Sequence, residues 1–141
     1  MASRRKTTRR QRSSTVSARK PRGAAVAQAF TFEDVRKIAH ALPGVQDGTS
    51  YGTRALKVSG KLFARLHQDM DCLVLRINML DREILMQSAP EIFFITDHYR
   101  NYPWILVRFA AVDERALVEL IERAWRLVAP KTVVKKYDGA T

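Results

Sequence analysis

The sequence predicts an α+β domain with two layers, an antiparallel sheet of about five strands with three helices on one face, in the order α-βββ-α-ββ-α. Three observations predict it. Near Ala55 the hydrophobic spacing changes from helical to strictly alternating, as when a helix gives way to half-buried strands. The alternating runs are separated by short polar turns, SGK and HQDMD, which make hairpins and leave no room for parallel crossovers. Only three segments carry helical spacing, too few to cover both faces of a sheet.

The elements follow in order. Thr31 and Asp34 have the spacing of a capping box, and Val35, Ile38, Ala39 and Leu42 continue as a helix that Pro43-Gly44 ends. QDGTSYGT (46–53) reads as a polar loop. ALKV (55–58), LFARL (62–66) and CLVLRIN (72–78) read as a three-stranded meander. Asn78 and Asp81 open a second helix, LDREILMQSA, which Pro90 terminates. EIFFIT is a short fourth strand and WILVRF a fifth. Asp113 caps the last helix, whose stripe is Leu117, Leu120, Ile121, Ala124 and Val128, and KTVVKKYDGAT is read as a frayed end.

The 141 residues suffice for one domain plus a tail. Residues 1–23 are expected to be a disordered basic tail, 24–136 the single domain, with Ala24 to Ala29 a small-residue bridge into the first helix, and 137–141 a frayed C-terminus. Nine of the 25 Lys and Arg lie in residues 1–22, among them Arg4, Arg5, Lys6, Arg9, Arg10 and Arg12, without an acid. The remaining sixteen face all 14 acids, so the rest of the chain carries about +2 of the total +11. One cysteine, Cys72, allows no intramolecular disulfide and fits a reducing compartment. With no apolar run long enough to span a bilayer and no secretory h-region, the expected location is cytoplasmic.

Alternation divides the strands into two sets. Leu56, Val58, Leu62, Ala64, Leu66, Leu73, Leu75, Ile77, Ile105, Val107 and Phe109 are expected to face the helices. Lys57, Phe63, Arg65, Val74, Arg76, Trp104, Leu106 and Arg108 point the other way, bases beside rings with no acid, while eight acids lie in or beside the helices. An ordinary wet sheet face also carries arginine. Guanidinium groups beside rings, however, suit phosphates and stacked bases.

HYRNYPWILVRF (98–109) concentrates a histidine, aromatics and arginines. His98 as a general base lacks a partner at a recognisable spacing. His40, His67 and His98 are too scattered for a metal site, Asp69 and Asp71 lack the rest of a calcium loop, and Gly60-Lys61 is followed by Leu62 where a phosphate loop needs Ser or Thr. The structural reading is that Tyr99, Tyr102 and Trp104 cap the open end of the core, with His98 hydrogen-bonded to loop backbone. Tyr102-Pro103 admits a cis bond.

The segments ALPG (41–44), TSYGT (49–53), KVSGKLFARL (57–66), HYRNYPWILVRF (98–109) and AWRLVAPK (124–131) resemble the MmcQ/YjbR family over about residues 30–132. The resemblance implies a bacterial domain with a CyaY-like fold, often described as DNA-binding on structural grounds. It brings no reaction. Its signature positions fall on Ser50, Tyr51, Gly52, Lys57, Gly60, Lys61, Phe63, His98, Tyr99, Tyr102, Pro103, Trp104 and Arg108. The iron binding of CyaY itself is not implied, because the first helix lacks a dense acidic ridge.

The expected function is that of a small non-enzymatic DNA-binding protein, without cofactor, metal or membrane association, monomer favoured. Phosphates would be met by Arg4, Arg5, Lys6, Arg9, Arg10 and Arg12 of the tail, and by Lys57, Arg65, Arg76, Arg100 and Arg108. Phe63, His98, Tyr99, Tyr102 and Trp104 would complete the nucleic-acid surface. Two alternatives stand beside it: a protein-interaction module for an acidic partner, and a small-molecule binder or enzyme using a pocket near His98 and Tyr51.

Overall fold

The computed structural model describes residues 29–139, so the basic tail with Arg4, Arg5, Lys6, Arg9, Arg10 and Arg12, and most of the bridge after it, lie outside the described residues. In chain order the elements are α1 (Phe32–Ala39), β1 (Val45–Ser50), β2 (Thr53–Val58), β3 (Lys61–Leu66), β4 (Cys72–Arg76), α2 (Met79–Ser88), β5 (Phe93–Phe94), β6 (Trp104–Arg108), α3 (Glu114–Val128) and α4 (Lys131–Gly139). The six strands form one antiparallel sheet in the order β1-β2-β3-β4-β6-β5. The predicted α+β class is the observed one, enlarged by an edge strand and a final helix.

The caps are where the side chains require them. Asp34 accepts from the Thr31 amide at 2.8 Å and from its hydroxyl at 3.2 Å. Asn78 Oδ1 accepts from the Asp81 amide, and Asp113 Oδ1 from the Ala116 amide, both at 2.8 Å. Each satisfies an amide that the first helical turn leaves without a partner. The stripe of α3 is buried as predicted, and Trp125 joins it, fully buried and donating its indole N–H to the Pro43 carbonyl at 2.9 Å.

Three segments differ from the sequence reading. QDGTSYGT is not a loop: Val45–Ser50 is a strand paired with β2 through a two-residue turn at Tyr51-Gly52. Tyr51 and Gly52 have φ of 54° and 74°, and Ser59 and Gly60 in the next turn 51° and 78°. Both are turns with positive φ at each central residue, whose twist matches paired strands. The strand was hidden because its polar composition follows from its place at the sheet edge. EIFFIT contributes only Phe93 and Phe94 to the sheet. Finally, Lys131–Gly139 is helical and not frayed, since Tyr137 packs edge-on against Trp125 at 5.1 Å and Arg126 holds Asp138 at 2.6 Å.

The most consequential difference is a β-bulge. Leu56 pairs with Ala64, but Lys57 pairs with Leu62, so Phe63 is passed over by the ladder. Phe63 and Ala64 therefore both point to the helices, and Phe63 is fully buried there, while Leu62 crosses to the other face. The expectation that Phe63 belongs to an exposed nucleic-acid surface is overturned; an extra residue in one strand reverses the alternation that assigned it. Phe63→Ala is accordingly expected to cost about 3–5 kcal/mol, and Leu62→Ala about 1 kcal/mol, in denaturant unfolding. The reverse ranking would contradict the bulge.

Candidate nucleic-acid interface

The sheet face turned away from α1 and α3 carries, across β4 and β6, the pairs Cys72–Arg108, Val74–Leu106 and Arg76–Trp104. Arg65 lies opposite Val74, Lys57 opposite Leu62, and Phe94 opposite Leu106. These strand positions carry no acid, as alternation predicts. The face is not an open wall, however. A 3-10 turn at Asp97–Tyr99 and the segment up to Trp104 fold over it. Val74, Tyr99 and Leu106 form a second apolar cluster beneath that segment, flanked by Met70, Phe94, Ile95 and Trp104. Tyr99 thus covers the outward face and Trp104 packs there from β6, so neither caps the end of the main core. The Tyr102-Pro103 bond is trans.

The roof is fastened by Arg82, a residue of α2 that the sequence reading assigned no role. Its guanidinium, almost fully buried, donates to the carbonyls of Tyr99, Arg100, Tyr102 and Trp104 at 2.7–3.1 Å. Four backbone carbonyls replace a carboxylate partner, so the bonds are charge-assisted without an ion pair.

Between this roof and the Tyr51 turn lies a cleft of about 350 Å³, lined by Tyr51, Leu62, Arg65, Val74, His98, Tyr99, Tyr102 and Trp104. Its floor contains Arg65, only 2% exposed. The Arg65 guanidinium donates to the Leu66 carbonyl at 3.1 Å, to Gln68 Oε1 at 3.0 Å and to the Tyr99 hydroxyl, and it lies 4.7 Å from the centre of the Tyr51 ring. Tyr51 is 68% exposed and Tyr102 58%, so two rings stand open at the mouth. Tyr51 holds its left-handed backbone conformation where glycine, asparagine or aspartate is usual, at a cost of about 1–2 kcal/mol.

The remaining sequence-predicted residues scatter around this centre. Arg108 is exposed and stacks 4.0 Å above the Phe94 ring. Arg76 is half-buried, 5.9 Å from the Trp104 ring, and also borders a hollow of about 200 Å³ against α3. Lys57 lies half-buried across Gly48, where an added Cβ would meet its side chain at 3.5 Å. Arg100 is exposed but tied to Asp97 at 2.6 Å. His98 is exposed, edge-on to Tyr99 at 4.7 Å and to Tyr51 at 6.3 Å, and makes no hydrogen bond among the described residues, so the expected bond to loop backbone is not formed. The structure therefore joins Arg65, His98, Tyr99, Tyr102 and Trp104 in one cleft, leaves Lys57, Arg76, Arg100 and Arg108 around it, and removes Phe63.

Charge neutralisation differs between the two sides. Arg36, Arg54, Arg123 and Arg126 on the helical side all meet carboxylates within 3.8 Å. Hydrogen bonds from Arg36 and His40 hold Asp47 below the usual carboxylate range, and one from Arg54 does the same for Glu33. Among the described residues, Arg65, Arg76, Arg82 and Arg108 make no ion pair. Three of those four lie against aromatic rings instead. Near the cleft, burial and then the charge of Arg65 push His67 below its ordinary value, with its Nδ1 accepting from the Asp69 and Met70 amides at 3.0 and 3.2 Å. Burial raises the Cys72 thiol in spite of Arg108 nearby, which keeps it protonated and a poor nucleophile. Among the described residues no three His, Cys, Asp or Glu side chains gather as metal ligands, and no helix is long and apolar enough to cross a membrane.

Comparison with known proteins places this arrangement. The YjbR family model matches residues 40–127, which take in the Tyr51 turn, Arg65, Arg82 and the whole roof. The chain belongs to the YjbR family. The chain is 42% identical over 53 residues to the uncharacterized proteins Rv2570 of Mycobacterium tuberculosis and Mb2600 of Mycobacterium bovis, a stretch covering 38% of this chain and 41% of each relative. The chain thus spans about two fifths of the length of these relatives. Deinococcus radiodurans protein DR2400, a DUF419 domain, has a crystal structure similar to the YjbR fold seen here, with a TM-score of 0.61 and 23% identity over 69% of this chain and 77% of that one. That likeness concerns the fold.

Proposed function

We propose that this YjbR protein binds DNA and performs no catalysis of its own. The observation that carries the reading is the row of guanidinium–ring pairs on the outward face, Arg65–Tyr51, Arg76–Trp104 and Arg108–Phe94, none of them neutralised by a carboxylate among the described residues. The exposed Arg108 guanidinium, stacked on Phe94, keeps its edge donors for phosphate oxygens, while the exposed Tyr51 ring beside the buried Arg65 offers a surface to bases. The basic N-terminal tail adds sequence-independent attraction to the same polyanion. In this reading neither Cys72, whose thiol pKa burial pushes up, nor His98, whose side chain makes no hydrogen bond among the described residues, has a catalytic role.

The test is quantitative. In the full-length protein, replacing Arg76 and Arg108 together by Gln removes two charges while keeping polar side chains. Binding of mixed-sequence DNA should weaken, and the slope of log K against log salt should become shallower by about 2. Superimposable salt series for the two proteins would clear this face of any role.

A further inference from the structure

Resting on that DNA-binding reading, we infer that the cleft between the Tyr51 turn and the 97–104 roof takes a single unpaired base, so that the domain engages single strands in preference to duplex. A base in a duplex is stacked and paired, and offers a protein only its groove edges. Stacking on a protein ring requires a base that has left its neighbours. The cleft has the form that such a base requires. About 350 Å³ is at the small end of ligand pockets and accommodates one planar group, not a double helix.

Its mouth is set by two exposed tyrosines that come from different elements, Tyr51 from a hairpin turn and Tyr102 from the roof. Tyr51 keeps its ring there in a backbone conformation that disfavours a large side chain, which argues that the ring serves a purpose besides turning the chain. At the floor, Arg65 is buried with neutral acceptors only, the Leu66 carbonyl, Gln68 and the Tyr99 hydroxyl. A buried cation without an anionic partner favours an electron-rich group brought by a ligand. The carbonyl edge of a pyrimidine supplies one, and the phosphates on either side of an inserted base remain outside, within range of exposed cations such as Arg108.

The experiment compares full-length wild-type protein with its Tyr51→Gly and Tyr102→Ala variants in binding a short oligothymidylate, a hairpin duplex of equal charge and free thymidine monophosphate. Glycine suits the backbone at position 51, and Tyr102 is exposed, so both variants should fold; circular dichroism checks this. The inference predicts tighter binding of the single strand than of the duplex. It also predicts that each substitution weakens single-strand binding about tenfold and weakens duplex binding much less. Equal effects on both forms, or none on either while DNA is still bound, would overturn the cleft assignment and leave the DNA reading in place. Thymidine monophosphate binding as tightly as the strand would overturn it in favour of a free nucleotide. If wild-type protein bound neither form of DNA, both readings would fall.

Discussion

Replacing Arg82 by Met should lower stability by about 3–5 kcal/mol, seen as a fall in the urea midpoint. The cause is local. One buried guanidinium accounts for the carbonyls of four residues between Tyr99 and Trp104, and methionine offers none of the donors. A hydrogen bond to a charged donor is worth about 1.5–3 kcal/mol net, and buried carbonyls left without partners add a desolvation cost. Because the roof and the small cluster of Val74, Tyr99 and Leu106 depend on each other, their loss should expose the face beneath. Arg82→Lys should fall between the two, since an ammonium has three donors and no planar fork. An Arg82→Met protein within about 1 kcal/mol of wild type would show that the roof is held by its apolar contacts alone.

Neutralising the tail should have the largest effect on binding. With Arg4, Arg5, Lys6, Arg9, Arg10 and Arg12 changed to Gln, the slope of log K against log salt for duplex DNA should flatten by about 5. Affinity at low salt should fall about a thousandfold or more, because each engaged phosphate contact releases condensed counterions. The described domain carries sixteen bases and 14 acids, so its own contribution to long-range attraction is small. Unchanged salt dependence would mean that the tail charges do not meet phosphate. Residual binding after neutralisation would be the work of the outward face.

Much of the fold was legible because its signals are local. Caps at Thr31, Asn78 and Asp113 and the stripe from Leu117 to Val128 are set by near neighbours in the chain. What escaped depends on distant contacts. Strand β1 is polar because it lies at the edge, and its pairing with β2 is announced only by a Tyr-Gly turn, in which tyrosine replaces the usual asparagine. The bulge at Phe63 leaves no mark in composition, yet it changes which of two adjacent apolar residues is buried. For the site, alternation correctly put Arg65, Arg76, Trp104 and Arg108 on one acid-free face. It could not show that residues 97–104 fold back over that face, since the contact that holds them, Arg82 to four carbonyls, involves backbone whose position no side-chain pattern encodes. The Pro and aromatic content of HYRNYPW was the available hint of a rigid, covering loop.

The most direct test of the account uses the protein's two tryptophans. Trp104 borders the cleft, whereas Trp125 is fully buried among the helices with its N–H committed to Pro43. In a nuclear magnetic resonance titration with short DNA, the account predicts that the Trp104 indole signal shifts with saturation and the Trp125 signal stays in place. Saturable binding of DNA with both indole signals unmoved would contradict a role for the cleft and its arginine-lined face.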